Sequence, residues 1–255
     1  MANAEFAARF ALEHGHYRHD LPFWRRAAAR LGGPVLDLGA ATGRIALPLA
    51  DDGHEVWAVD RSPEMCAAIA RAAADAGRAA AIRVVCDDLR QFRLPRRFTL
   101  AIVAMNTFQV LHRRPEQLAC LRAIADVLRE GGEVILDVAV PDEDDVAGVI
   151  GRLQDVGAHV DRLTGTRVVQ TARYDSWDPA TRTLRFTLII EEQGAGASRS
   201  RRERPYAVHL YAPDELQSLA RDAGLRPAGA FGDFDEGPLT PDSERQVHRF
   251  LREAA

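Results

Sequence analysis

Val35-Leu36-Asp37-Leu38-Gly39-Ala40-Ala41-Thr42-Gly43-Arg44 is the stretch from which the rest of the chain can be read. An apolar run opens it, one acid sits inside that run, and two glycines punctuate the residues after it. Ile45, Leu47, Leu49 and Ala50 then recur at helical spacing. The pattern predicts a strand, a sharp turn and a helix, which together bring backbone N–H groups close to a bound nucleoside.

Two nucleotide-binding turns compete for this stretch. The dinucleotide fingerprint is G-x-G-x-x-G; its first position is Gly39, but its second and third hold Ala41 and Arg44. Loss of the third glycine spoils the close helix–strand packing of that motif. The stretch fits D-x-G-x-x-x-G instead, with Asp37 two residues before the turn. An acid there suits a ligand carrying a positive group, such as the ammonium of an amino acid. A buried structural aspartate is the plainer alternative.

Outward from this turn, strands and helices alternate. Residues 2–30 read as helices, the second beginning near Pro22 and broken by Gly32-Gly33-Pro34. Strands are expected at 35–38, 55–59, 82–86, 98–104 and 133–140. Helices are expected at 43–51, from the Ser62-Pro63-Glu64 cap to about Ala76, and from Pro115 to Arg129, the last ended by Gly131-Gly132. This βαβ alternation predicts a parallel doubly wound sheet with right-handed crossovers. After Pro141 the character changes. A short acidic helix opens at Asp142, and three β-like segments follow at 167–176, 181–192 and 204–211. Gly194 to Ser200 reads as a loop, and the arginine run 198–204 as a solvated hairpin tip. A helix from Pro213 to Gly224 and closing strands at 226–234 and 246–251 complete the chain. It reads as a single domain: an N-terminal helical part (1–32), a nucleoside-binding core (33–141), a β insertion (142–211) and a closing segment (212–255).

The bulk numbers narrow the function. At 255 residues and a net charge of −4, the chain has room for one large core and no general attraction to nucleic acid. All 33 basic residues are arginine, which excludes a lysine Schiff base and a P-loop lysine. Cys66, Cys86 and Cys120 lie far apart, and the expectation is three buried small residues with no metal site. No stretch reaches the ~20 apolar residues of a membrane span, and no signal peptide is recognisable, so the expected location is cytoplasmic, away from any membrane.

The strand ends carry further acids. Asp60 closes the second strand a little over 20 residues beyond Asp37, where a carboxylate can accept from both ribose hydroxyls. The third ends in Cys86-Asp87-Asp88-Leu89, where an acid can accept from an adenine amino group. With the glycine turn 35–43, Asp60 as ribose acid and Asp88 as adenine acid, the chain resembles the class I S-adenosylmethionine-dependent methyltransferases. Met105-Asn106-Thr107-Phe108-Gln109 resembles the family's segment after the fourth strand, which lines the methyl-transfer face. The likeness extends to a small-molecule subgroup with an N-terminal lid, here His14 to Trp24, and an antiparallel β insertion, here Tyr174 to Tyr211. Gly232-Asp233-Phe234 through Asp242-Ser243 resembles the subgroup's link into its last strand. Ala41 departs from the family's usual middle glycine, and Thr99 stands where an aspartate is common.

What the resemblance implies is a Rossmann-like, doubly wound, mostly parallel sheet with an antiparallel final strand and a small antiparallel insertion. S-adenosylmethionine would be held by Asp37, Gly39, Ala40, Ala41 and Gly43, by Asp60, Arg61 and Met65, by Asp87, Asp88 and Leu89, and by Met105 and Asn106. A small-molecule acceptor would meet Phe108, Gln109, His209 and Tyr211, presenting a nitrogen or oxygen to the methyl and leaving S-adenosylhomocysteine. His14, Tyr17 and His112 are the candidate bases; His14 and Tyr17 would share a helix face. The protein would work as a monomer or homodimer. Two other readings stay open: a fold of this kind that holds the cofactor structurally while catalysing a non-methylating reaction such as a cyclisation, and a non-catalytic nucleoside-binding module.

Overall fold

A computed structural model describes residues 2–140, 143–161, 164–194 and 199–253. Helices α1 (Ala2–His14) and α2 (Leu21–Leu31) precede β1 (Val35–Leu38), α3 (Ala46–Asp51), β2 (Val56–Asp60), α4 (Pro63–Asp75), β3 (Ile82–Cys86) and β4 (Phe98–Val103). A 3-10 turn (Thr107–Val110), α5 (Arg114–Val127), β5 (Leu128–Ala139) and α6 (Glu143–Gly148) lead to β6 (Leu153–Val160), β7 (Arg167–Asp178), β8 (Thr183–Gln193) and β9 (Arg199–His209). The chain closes with α7 (Pro213–Asp222), β10 (Leu225–Phe231) and β11 (Arg245–Arg252).

Seven strands form one sheet in the order β10-β11-β5-β4-β1-β2-β3. The five from β1 to β5 run parallel, and β11 lies antiparallel to both β5 and β10. The order reverses beside β1, so its carboxyl end opens onto the switch-point crevice where ligands of such sheets bind. Alternation along β1 sets the site. Leu36 and Leu38 face a core with Leu121 of α5 and Leu216 of α7, while Val35 faces one with Trp24, Leu49 and Ile69 of α2, α3 and α4. Asp37 shares the side of Val35 by the two-residue period of a strand. All six residues of β4 are buried, as an apolar strand covered on both faces should be.

Three boundaries differ from the sequence reading. Gly131-Gly132 does not stop a helix: α5 ends at Val127, and the chain passes directly into β5. A Cβ on Gly132 would stand 2.9 Å from the Phe98 carbonyl oxygen, so the glycine permits close approach of β4 at a register shift. The insertion has four strands, ordered β6-β7-β8-β9, rather than three. The arginine run is the start of β9 and not a hairpin tip, because alternation turns Arg202 and Arg204 toward α1. The helix start expected at Asp142 and residues 195–198 of the small-residue loop lie outside the described residues. Of the cysteines, Cys66 and Cys120 are buried and Cys86 is exposed. Thr99 donates its hydroxyl to the carbonyl oxygens of Gly32 and Pro34, which fastens the loop into β1.

Candidate active site

The glycine turn is shaped by close approach. Gly39 has φ +70, and a Cβ there would stand 2.4 Å from Thr107 Cγ2. Gly39 and Ala40 donate their N–H groups to the Val59 carbonyl at 2.8 and 3.1 Å, tying the turn to β2. Ala41 takes the left-handed conformation, φ 49, that its departure from glycine makes costly by about 1 kcal/mol. Its N–H donates to Asp60 Oδ2 at 2.9 Å, and Ser62 N–H donates to Oδ1 at 2.9 Å. Gly43 closes the turn at φ +84 with a 2.8 Å bond to the Ala40 carbonyl.

Beside this turn lies a cavity of about 80 Å³. Its walls are the turn itself, Met105 and Thr107 after β4, and Phe10, His14 and Gly15 at the end of α1. Asp37 reaches into it. Burial raises the Asp37 pKa to about 7, opposed chiefly by the Arg44 charge. Oδ2 of Asp37 is buried without a hydrogen-bond partner. Such an orphaned acceptor costs a few kcal/mol unless something donates to it. An ammonium group meets that need, so the site fits the amino-acid end of S-adenosylmethionine.

Met105 and Asn106 are consecutive left-handed residues, φ 54 and 64. Strain of this kind persists where the surroundings over-determine it. Here Asp137 of β5 accepts from Met105 N–H at 2.9 Å through Oδ2 and from Asn106 N–H at 3.1 Å through its carbonyl. Ala139 N–H donates to Asn106 Oδ1 at 2.8 Å. Burial pushes the Asp137 carboxyl up, while its ion pair with Arg245 opposes the shift.

At the end of β3, Asp87 Oδ1 accepts from Asp88 N–H at 2.8 Å. Both Asp88 oxygens are taken by Arg90, at 2.8 Å from Nε and 2.6 Å from Nη2, and this pairing holds the carboxyl below the usual range. Met65 is buried at the start of α4, Arg61 is exposed at its approach, and Leu89 packs against the core.

The residues expected around the acceptor divide differently. His14 lines the cavity, stacked on Phe10, and burial lowers its pKa, so it stands neutral near pH 7. Tyr17 lies beyond the end of α1 and shares no helix face with His14; its hydroxyl is pushed up to about 12, first by burial. His112 Nε2 meets the Ala207 carbonyl at 2.8 Å, fastening the loop after β4 to β9. Phe108, Gln109, His209 and Tyr211 do not line the cavity. Gln109 donates to the Ala139 and His209 carbonyls, both at 3.1 Å, and His209 bonds Thr181 and Glu215. Tyr211 stacks on Phe108 and donates to the Leu111 carbonyl at 3.2 Å. The side-chain polar groups of Gln109, His209 and Tyr211 are thus engaged within the scaffold that joins the loop after β4 to the end of β9, and Phe108 packs there as apolar core.

Sequence reading overlooked the fastening of α1. Glu13, with a side chain 0% exposed, pairs with Arg202 at 2.9 Å and Arg204 at 3.0 Å. His159 Nε2 donates to the Leu12 carbonyl at 2.8 Å, and Gln170 Nε2 to that of Glu13 at 3.3 Å. The insertion therefore presses α1 onto the glycine turn. An acid inside a helix end and an arginine run were both visible in the sequence, but nothing there pairs residues some 190 positions apart.

Residues 35–132, which span the glycine turn, the strand-end acids and α5, match the methyltransferase-domain family. A curated relative matches most of the chain as well, and the protein belongs to the S-adenosylmethionine-dependent methyltransferases, with S-adenosylmethionine as its cofactor. It is similar to the cypemycin N-terminal methyltransferase of a Streptomyces species, 30% identical over 216 residues, covering 85% of this chain and 82% of that one. Among solved structures it resembles the CcbJ methyltransferase of Streptomyces caelestis, with a TM-score of 0.78, 27% identity, and 92% and 95% of the two chains covered. The fold is also that of CalS10, an amino pentose methyltransferase of Micromonospora echinaspora, with a TM-score of 0.72 at 18% identity over 96% of each chain.

Proposed function

We propose that the protein methylates an amine nitrogen of a small molecule or short peptide end held between α1 and the loop after β4. The observation that carries the reading is the orphaned Asp37 Oδ2 in a cavity that is also lined by His14, whose imidazole burial keeps neutral near pH 7. Bound S-adenosylmethionine supplies a sulfonium methyl open to in-line attack. Asp37 accepts from the ammonium, and the turn from Gly39 to Gly43 follows the amino-acid portion. Asp60, fixed by Ala41 and Ser62, keeps acceptor capacity for ribose hydroxyls. Asp88, each of whose oxygens has a lone pair left beyond its Arg90 contact, would accept from the adenine amino group, with Asp87 beside it. Arg61, Met65 and Leu89 would border the nucleoside, and Met105, which lines the cavity, would face the transferred group with Asn106 beside it.

An amine acceptor must shed a proton before attack, and neutral His14 is placed to take it. Enclosure by α1 and the turn excludes water and aligns the partners, which can account for ~7–11 kcal/mol of barrier; a positioned base adds about 100- to 10,000-fold. The relatives support nitrogen: one is named for an N-terminus and another for an amino pentose. The whole chain acts as one domain, as a monomer or homodimer in the cytoplasm, with no nucleic-acid or membrane partner; native mass spectrometry and cell fractionation test those points. The central test offers the protein paired acceptors that differ only in amine against hydroxyl, with methyl gain followed by mass spectrometry. Methylation of the amines and not the alcohols is expected, and the reverse preference refutes the reading. Replacing His14 with Phe should lower the rate most below pH 7, where the acceptor is most protonated.

A further inference from the structure

Arg44 lies between two buried carboxylates. Its Nη1 donates to Asp20 Oδ1 at 2.6 Å and its Nη2 to Oδ2 at 2.8 Å, and Nη1 also donates to the Tyr17 carbonyl at 3.0 Å. The Asp20 side chain is 0% exposed and accepts the Trp24 indole N–H at 2.8 Å as well. Arg44 is 11% exposed and lines the same cavity as Asp37, on which it is the chief positive charge. The guanidinium is thus committed to Asp20, while Asp37 beside it feels the charge and leaves Oδ2 without a partner. An unpaired charge in such surroundings is strongly unfavourable. Released from Asp20, Arg44 would turn to the orphaned oxygen of Asp37, which is the position the cofactor ammonium needs.

We propose that Asp20 is a positioning residue for cofactor binding: by holding Arg44 it leaves the Asp37 carboxylate open to the ammonium of the cofactor. The inference rests on Asp37 as ammonium acceptor. It makes docking of residues 17–24 and binding of the amino-acid end favour each other, and linkage requires the coupling to run both ways.

The test is calorimetry with two ligands, S-adenosylhomocysteine, which carries the ammonium, and methylthioadenosine, which keeps the nucleoside and lacks it. Asp20→Asn should weaken S-adenosylhomocysteine about tenfold to a hundredfold and leave methylthioadenosine within about threefold. The double variant Asp20→Asn with Arg44→Met should restore S-adenosylhomocysteine to within about threefold of wild type, because the competing cation is gone. A merely structural pair could also recover when both partners are removed, but its single variant would weaken both ligands alike, so the selective loss of S-adenosylhomocysteine is the discriminating readout. The proposal is overturned by unchanged binding in Asp20→Asn, by a double variant as weak as the single one, or by a tenfold loss in Arg44→Met alone. Hydrogen exchange on the wild-type protein tests the reverse direction without any substitution. S-adenosylhomocysteine should slow exchange across residues 17–24 and methylthioadenosine should not; equal protection by both overturns the coupling. Equal affinity of the wild type for the two ligands would instead remove the Asp37 reading beneath it.

Discussion

In the central sheet every residue of β1 and β4 is buried, whereas β6, at the edge of the insertion, leaves Leu153, Val156 and Val160 exposed. The contrast extends to polar groups. The central sheet buries Asp37 with an oxygen unsatisfied, while the insertion grips the buried acid of α1, Glu13, with two arginines. One region keeps an unmet demand for a ligand; the other commits its charges to holding α1. Under the proposed reading, cofactor recognition accordingly belongs to the first and acceptor enclosure to the second.

The largest expected effect breaks the first half of that comparison. Asp37→Asn should weaken S-adenosylhomocysteine by about 100-fold, roughly 3 kcal/mol, measured by calorimetry. The same variant should fold as well as wild type at pH 8, where the wild type bears the desolvation of an ionised carboxylate. Next comes the insertion. Glu13→Gln leaves Arg202 and Arg204, which are 22% and 23% exposed, without their shared anion. After allowance for water at those arginines the loss should be about 1–3 kcal/mol in thermal unfolding. It should raise acceptor KM while cofactor affinity stays within about threefold. An equal fall in both affinities would merge the two regions into one functional unit.

A smaller effect concerns pH. The Asp37 pKa of about 7 lies above its ordinary value, so the folded protein holds this proton more tightly than the unfolded chain. Its contribution to stability is therefore full at low pH and is lost as pH rises through about 7. Cofactor binding runs oppositely, because the ammonium selects the ionised form. Affinity should rise about tenfold between pH 6 and pH 8, and Asp37→Asn should flatten the rise. The smallest change is Ala41→Gly, which relieves φ 49 and loosens the unfolded chain; a net shift under about 1 kcal/mol is expected in thermal unfolding.

The parallel core was legible because its signals are local. The apolar β4, the Ser62 cap of α4, whose hydroxyl accepts from Met65 N–H at 3.3 Å, and the glycine turn each announce themselves within ten residues. The acids Asp37, Asp60, Asp87 and Asp88 could be picked out for the same reason, since each lies in or just after one of the first three strands. The insertion was less so. In β6 a bulge between Asp155 and Gly157 disrupts the alternation that would mark a strand. Placing Phe108, Gln109, His209 and Tyr211 at the acceptor failed on orientation: aromatic and amide side chains suit a pocket wall and a core equally, and only packing decides. Arg44 counted in the sequence merely as a missing glycine; its bond to Asp20 spans 24 positions and no periodicity reports it.

Cys86 is the exposed thiol among the three cysteines, and it directly precedes Asp87. Cys66 and Cys120 are buried, with thiols pushed up by desolvation, so an alkylating reagent finds one position to react with. A small environment-sensitive dye attached there would stand at the end of β3, beside the loop that the proposed reading gives to adenine. Under that reading the protein carries a native address for a fluorescent gauge of nucleoside arrival, readable without engineering a cysteine into it.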